Sequence, residues 1–191
     1  MTKRIIISKA LGAALTGILL LFACKPASAQ RTISGQPALA FSAHYSGTSV
    51  GAEAFFQQYT LGGFWEAGAS FLPFIQPLSS GGNLYTCHIA ATGGYIWRLA
   101  ATRSRSCNWY AGAGAFTGIE WLDPFHRLPD YLDLGVSEIR FLYGVYTKTV
   151  LELFLSPRFA VLVQGAVPVN FSSVTGYIHW QAGLGLKFML N

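Results

Sequence analysis

The chain has 191 residues, of which 11% are charged and 15% are aromatic, whereas a soluble domain carries about 25% charged residues. The formal net charge of +5 comes from 13 basic and 8 acidic residues. Four of the basic residues (Lys3, Arg4, Lys9 and Lys25) precede Gln30, which leaves 13 − 4 = 9 basic against 8 acidic residues in the rest of the chain. That near-neutral remainder argues against a surface that binds nucleic acid directly.

The N-terminus has the pattern of a cleavable signal peptide covering residues 1–29. Lys3, Arg4 and Lys9 precede an apolar run over 10–23, and Ala27-Ser28-Ala29 places small residues at a cleavage site before Gln30. A retained membrane anchor is less well supported, because the apolar run is short for a bilayer-spanning helix. A lipobox reading of residues 21–24, with Cys24 lipidated, is the minority alternative. We expect export by the Sec pathway and one folded domain over 30–191.

The remainder of the chain reads as a series of strands, and the segment 139–155 shows this most clearly. Its odd-numbered residues carry no charge, whereas its charges, Arg140, Lys148 and Glu152, all lie at even positions. That spacing also fits a helix, but the β-branched and aromatic residues and the mid-segment Gly144 favour a strand. The length of the segment exceeds the roughly 9–11 residues that a tilted strand needs to cross a bilayer.

Eight such strands predict an all-β fold, an eight-stranded antiparallel transmembrane β-barrel of the outer-membrane type. The predicted strands cover 39–46, 51–58, 63–72, 84–99, 107–119, 139–155, 158–167 and 177–190. The connections after the second, fourth and sixth strands are predicted to be short, and those after the third, fifth and seventh to be longer, including a loop over 73–83. A soluble periplasmic β-sandwich is the structural alternative.

A barrel of eight strands is just wide enough to be filled by its own side chains. Charged side chains that face the lumen must therefore pair with one another or with trapped water. This predicts a lumen charge network made of Glu66, Arg98, Arg140, Lys148, Glu152 and Lys187.

Cys87 and Cys107 are not expected to form a disulfide. Cys107 lies close to the turn between its strand and the previous one, whereas Cys87 lies many residues back along that previous strand. At about 3.3 Å per residue, their separation exceeds the roughly 7 Å Cα–Cα limit of a disulfide.

The sequence predicts no catalytic, cofactor or metal site. Gly112, Gly114 and Gly118 lack the spacing and the following helix of a dinucleotide site, and we expect them to keep the lumen face small. His44, His88, His126 and His179 lack metal-ligand spacing. Asp123, His126, Asp130 and Asp133 share one segment that could bind a cation, but loops rich in Asp and Pro are far more often solvated turns, and the segment is interpreted as one. No local signature marks a nucleophile. The protein is therefore expected not to be an enzyme, and no small-molecule substrate is expected.

The segment 121–131 is the candidate partner-contact loop. It combines aromatic residues with an arginine, and these residue types are enriched at protein interfaces. The residues proposed to make the contact are Trp121, Phe125, Arg127 and Tyr131. The same side chains also suit packing over the mouth of the barrel.

The C-terminal third contains two distinctive motifs, Leu155-Ser-Pro-Arg-Phe-Ala-Val-Leu-Val-Gln-Gly165 and Gln181-Ala-Gly-Leu-Gly-Leu-Lys-Phe188. With these motifs the chain resembles the TraO family of conjugative-transposon transfer proteins of Bacteroidetes. Weaker similarity covers most of the rest of the mature chain, including Ala91 to Tyr95 and the turn near Arg103. The chain departs from the common barrel ending, since it finishes on Met189-Leu190-Asn191 rather than on an aromatic residue.

The resemblance implies a non-enzymatic outer-membrane component of a type IV-like DNA transfer apparatus. Its implied partners are other conjugation-apparatus proteins and outer-membrane lipid, and the family brings no catalytic residues to carry over. The alternative is a general small outer-membrane barrel, or a lipid-modifying barrel enzyme, that takes no part in conjugation.

Overall fold

The computed structural model describes residues 33–47, 49–77, 83–102, 105–122, 139–173 and 176–190. The predicted signal peptide and Cys24 lie outside these residues, as does the aspartate-rich segment 123–138. Within the described ranges, no helix has the length and apolarity needed to cross a membrane.

The described residues form eight antiparallel strands that close into a single barrel, which confirms the predicted fold class. Each strand pairs with the next along the chain, and the first pairs with the last. The strands are β1 (Pro37–Tyr45), β2 (Val50–Tyr59), β3 (Gly63–Pro77), β4 (Asn83–Ala101), β5 (Cys107–Leu122), β6 (Ile139–Ser156), β7 (Phe159–Asn170) and β8 (Gln181–Met189).

Strands β3 and β7 run farther than predicted, and both continue through a proline. Pro73 lies in β3 opposite Cys87 of β4, and Pro168 lies in β7 opposite Tyr146 of β6. Each proline lies beyond the last residue that pairs with the other neighbouring strand, since β2 stops pairing at Phe71 and β8 at Ala166. A proline costs no ladder hydrogen bond on such an open edge. The prediction of a loop over 73–83 is therefore wrong for 73–77, and also for Asn83, which is the first residue of β4.

The last strand is shorter than predicted, because β8 begins at Gln181 rather than at Tyr177. The residues before it lie on the connection from β7, where Ile178 forms only an isolated bridge with Val169. A strand would place Tyr177 and Ile178 on opposite faces, but both are about two-thirds exposed (69% and 67%). The apparent alternation of these residues belongs to a connection rather than to the sheet.

The two ends of the barrel differ in their connections. The short-turn end carries both termini of the barrel and the connections 60–62, 102–106 and 157–158, and the long-loop end carries 46–49, 78–82, 123–138 and 171–180. The connection 78–82 is no longer than 102–106, because β3 extends to Pro77, so the predicted difference in length is wrong for this pair. Aromatic rings on the outer wall gather near both ends, as they do at the two interfaces of membrane barrels. The pairs are Trp65–Tyr95 and Tyr95–Trp97 near the short-turn end, and Tyr45–Trp180 and Phe141–Tyr143 near the long-loop end.

Strand β6 shows how the alternation places side chains. Its even-numbered residues from Leu142 to Phe154 are buried in the lumen, whereas Phe141, Tyr143 and Val145 are exposed on the outer wall. Successive residues of a strand point to opposite faces, so each apolar residue on the outer wall is followed along the strand by a residue that faces the lumen. Lys148 and Glu152, two of the charged residues of β6, are thereby placed inside the barrel.

Candidate functional site: polar clusters in the lumen

A fully buried ion pair lies nearest the short-turn end, in what we call the lower cluster (Tyr59, Asn108, Glu152 and Lys187). The Nζ atom of Lys187 is 2.5 Å from Oε1 of Glu152, and neither side chain is exposed. The Tyr59 hydroxyl donates to the same oxygen at 2.5 Å, and Asn108 approaches Oε2 at 3.4 Å. These donors complete the coordination of a carboxylate that would otherwise be costly to bury.

A second ion pair forms the middle cluster (Gln57, Glu66, Tyr146 and Lys148). Nζ of Lys148 lies 3.2 and 3.3 Å from the two oxygens of Glu66. The Tyr146 hydroxyl and the Gln57 amide donate to one oxygen each, at 3.0 and 3.1 Å. The Lys148 ammonium also lies 3.8 Å from the centre of the Phe55 ring, a cation–π distance. Both charges of this pair are thus surrounded by partners.

Aromatic side chains fill the lumen around the lower cluster. The rings of Tyr59, Phe64 and Tyr110 meet edge to face at 5.5 and 5.0 Å, and all three side chains are at most 2% exposed. Lys187 lies 4.5 Å from the centre of the Phe64 ring. The lumen is therefore closed by packed side chains in its short-turn half, as expected for a barrel of this size.

His44 lies at the centre of a third polar group. Its Nε2 atom is 2.8 Å from Ser42 Oγ, 2.8 Å from Gln164 Nε2 and 2.7 Å from Glu53 Oε2. Three groups thus crowd one ring nitrogen, whereas the buried Nδ1 atom has no hydrogen-bond partner among the described residues. One ring nitrogen of His44 therefore has three close partners, whereas the other has none among the described residues.

His88 anchors a fourth group at the long-loop end. Its Nε2 atom lies 2.9 Å from Oε1 of Glu120, and the Ser173 hydroxyl donates to the same oxygen at 2.7 Å. Ser173 belongs to the connection 171–180, so this carboxylate ties the connection to the barrel wall.

The connection 171–180 also brings a second imidazole over the lumen. The ring of Phe74 lies between His88 and His179, with centroid distances of 4.6 and 4.8 Å. Burial lowers the pKa of His179, and the nearby His88 acts in the same direction. His179 is therefore held in its neutral form at pH values where a free imidazole is partly charged.

Four of the six residues predicted to form a lumen charge network meet in two separate pairs, Glu66–Lys148 and Glu152–Lys187. The other two lie outside those pairs. Arg98 is near the short-turn rim, where its Nη2 donates to the carbonyl of Leu61 at 3.0 Å. Arg140 lies opposite Glu120 in the β5–β6 ladder at the long-loop end. Height along the barrel, rather than the direction of the side chain, separates these arginines from the lower and middle clusters.

Several lumen residues were missed by the sequence reasoning. Glu120 was assigned to a loop because the fifth strand was predicted to end at residue 119. Glu53 was assigned to the second strand, but not to its lumen face or its outer face. Tyr59 and Tyr146 were not recognised as partners of carboxylates. The available signal was the same alternation, since Glu53 and Tyr59 share the lumen face of β2, and Tyr146 shares that of β6 with the predicted charges.

The glycines of β5 lie on the lumen face, as expected. A Cβ atom at Gly114 would lie 2.5 Å from the ring of Tyr146 and 2.4 Å from the carbonyl of Gly93. A Cβ at Gly94 would lie 2.7 Å from the Tyr146 hydroxyl. These glycines make room for the tyrosine that bonds to Glu66.

Of the four residues proposed to make the partner contact, only Trp121 is described. It lies on the outer wall of β5, opposite Ile139 and Cys87 on the neighbouring strands, and is 37% exposed. Phe125, Arg127 and Tyr131 lie outside the described residues.

The two described cysteines are free thiols. Cys87 lies opposite Trp121 near the long-loop end of β5, whereas Cys107 is the first residue of that strand. Among the residues that the structure describes, no group of three or more His, Cys, Asp or Glu side chains could hold a metal ion.

Solved structures with the same architecture are outer-membrane barrels. The N-terminal β-barrel domain of Pseudomonas aeruginosa OprF is similar with a TM-score of 0.54 and 10% identity, covering 82% of this chain and 98% of that one. Neisserial surface protein A is similar with a TM-score of 0.54 and 12% identity, covering 81% and 95%. At these identities the likeness concerns the fold alone. No curated protein matches the chain.

The sequence comparison with protein families points to a more specific relationship. Residues 82–190 match the family described as conjugative transposon protein TraO. The match runs from the start of β4 to the end of β8 and covers more than half of the chain. The chain therefore belongs to the TraO family of conjugative transposon proteins.

Proposed function

We propose that the protein is a non-enzymatic outer-membrane component of the DNA transfer apparatus of a conjugative transposon. The family match over residues 82–190 is the observation that carries this proposal. The barrel supports the location, because its outer wall exposes large apolar side chains such as Phe41, Leu184 and Leu186, which suit contact with lipid. The protein reaches this membrane through the Sec pathway, with cleavage before Gln30.

In this arrangement the short-turn end faces the periplasm and the long-loop end faces outward. Other proteins of the apparatus are the partners, and the segment 121–131 supplies the contact through Trp121, Phe125, Arg127 and Tyr131. Neither end requires direct contact with DNA, because basic and acidic residues beyond the leader are nearly balanced.

A structural role fits the lumen better than an enzymatic one. Ser42, His44 and Glu53 lie together, but the serine and the carboxylate approach the same ring nitrogen. A nucleophile relay needs the serine on one imidazole nitrogen and the acid on the other. Ser42 is also 8% exposed and lies inside the barrel, away from the lipid that a barrel enzyme would modify.

Deletion of the gene in a donor strain tests the proposal. We expect the transfer frequency to fall and to be restored by the wild-type gene supplied in trans. Undiminished transfer would refute the role in conjugation and favour a general envelope barrel. Carbonate-washed membrane fractions test the location separately, since a soluble periplasmic protein would be released into the wash.

The contact segment is tested by alanine variants of Phe125, Arg127 and Tyr131, with detergent co-purification of other transfer proteins as the readout. Arg158→Ala is the matched control, because Arg158 is exposed in the turn at the opposite end of the barrel. Equal recovery of partners from the loop variants and the control would contradict the assignment of the contact to 121–131.

A further inference from the structure

The lumen contains a cavity of about 60 Å³ in its long-loop half. On the same measure a single water molecule needs about 10–15 Å³, so the cavity has room for a small ligand. Phe55, Tyr146 and Lys148 line the part of the cavity farthest from the long loops, and apolar side chains including Phe116 and Leu142 line its middle. Residues of the β7–β8 region line the side nearest the long loops.

Charge compensation in this half of the barrel is incomplete. Glu66 is neutralised by Lys148, and Glu120 faces Arg140 across the β5–β6 ladder while bonding to His88. Glu53 on the cavity wall forms its direct ion-pair contact with the imidazole of His44 rather than with a lysine or arginine, and the nearby Lys148 is bound to both oxygens of Glu66. A lumen carboxylate that lacks a permanent opposite charge favours a cation beside it.

Glu53 is also the accessible member of these pairs. Its side chain is 14% exposed, whereas those of Lys148, Glu66 and Glu120 are 3%, 0% and 0% exposed. Glu53 Oε2 lies 2.7 Å from His44 Nε2, a nitrogen that Ser42 and Gln164 also approach, and it has no further hydrogen-bond partner within the described chain.

Polar atoms without a hydrogen-bond partner next to the cavity also favour a bound ligand. His44 is 2% exposed and its Nδ1 atom has no hydrogen-bond partner among the described residues, and the same is true of Oγ1 of Thr92. Both side chains line the cavity. Buried groups of this kind are usually satisfied by a bound molecule, and both atoms can accept a hydrogen bond.

We propose that this cavity binds a small organic cation, a primary ammonium on a short alkyl chain. The ammonium group lies against Glu53, where it supplies the positive charge and the hydrogen-bond donors that the wall lacks. The alkyl part lies against Phe116 and Leu142, and aromatic rings at this depth add cation–π attraction. An anion is disfavoured, because both oxygens of Glu66 already occupy the Lys148 ammonium.

Calorimetric titration of the purified protein in detergent micelles tests the proposal, with ethylammonium chloride as the probe. Ethanol and propionate are the neutral and anionic controls. We expect saturable binding of ethylammonium that is at least about tenfold tighter than that of either control, a difference that corresponds to about 1.4 kcal/mol. Equal binding of ethanol, preferential binding of propionate or no binding of ethylammonium would each overturn the proposal.

Two variants locate the site. Glu53→Gln is expected to weaken ethylammonium binding at least about tenfold, whereas Gln58→Ala, on the outer face of the same strand, is expected to leave it unchanged. Ala166→Leu keeps Glu53 but fills part of the cavity, and is also expected to abolish binding. Folding of each variant is checked by its heat-dependent shift in electrophoretic mobility. Should Glu53→Gln fail to fold, unchanged binding to folded Ala166→Leu would still refute the cavity as the site.

Discussion

The lower cluster makes the sharpest prediction about stability. Glu152→Leu removes the carboxylate that accepts from both Lys187 and Tyr59, and leaves a fully buried ammonium without an opposite charge. Breaking a buried ion pair from one side typically costs about 3–5 kcal/mol. We expect a loss of this size in the free energy of unfolding, because aromatic rings and the Tyr59 hydroxyl only partly compensate Lys187.

The double variant Glu152→Leu/Lys187→Met separates charge from packing. Replacing both members of a buried pair by apolar residues of similar volume is often neutral or stabilising, so we expect the double variant to recover most of the loss. Arg158→Ala is the control for a surface charge, with an effect within about 0.5 kcal/mol.

Equilibrium unfolding by urea in detergent micelles, followed by tryptophan fluorescence, measures all three variants. A free energy of unfolding of Glu152→Leu within about 1 kcal/mol of the wild type, well short of the loss expected for a buried pair, would refute this expectation. A double variant as unstable as the single one would also refute it, because the loss would then arise from packing rather than from an uncompensated charge.

Two further predictions concern the middle of the lumen and the connection over it. Gly114→Ala should cost about 1–3 kcal/mol of unfolding free energy, because the new Cβ would lie 2.5 Å from the Tyr146 ring; Ala113→Ser, at an exposed neighbouring position, is the control and should be nearly neutral. The pKa of His179, followed by NMR in micelles, should lie below its ordinary value of 6.5 because of burial. Since protonation of His179 is disfavoured in the folded state, its contribution to the docking of residues 171–180 should be lost progressively as the pH falls below 6.5. A measured pKa at or above 6.5 would contradict this account.

Which face of each strand is buried was readable from the sequence, because the side-chain period of a strand is two and does not depend on distant residues. That rule assigned Lys148 and Glu152 to the lumen, and closure into eight strands followed from the number of alternating segments. The ends of the strands were less predictable. Pro73 and Pro168 were taken as loop residues, since their compatibility with a strand depends on which neighbours remain paired at that point.

Partner choice inside the barrel required the closed structure. Glu152 lies on β6, Lys187 on β8 and Tyr59 on β2, so their contacts cross the lumen between strands that are not neighbours in the sheet. The heights at which these side chains meet depend on the stagger of all eight strands, which no local pattern contains. For the same reason, the sequence placed Arg98 and Arg140 in one network with the lumen pairs, although they lie near opposite ends of the barrel wall.

The sequence by itself determined that this chain has apolar, membrane-compatible strands with polar residues on one face, because composition and alternation are properties of short segments. It also carried the motifs of the TraO family. Only the tertiary structure decided which carboxylate meets which cation and where a cavity remains beside Glu53. Those features depend on the distance across the lumen, which is defined once the first strand hydrogen-bonds to the last.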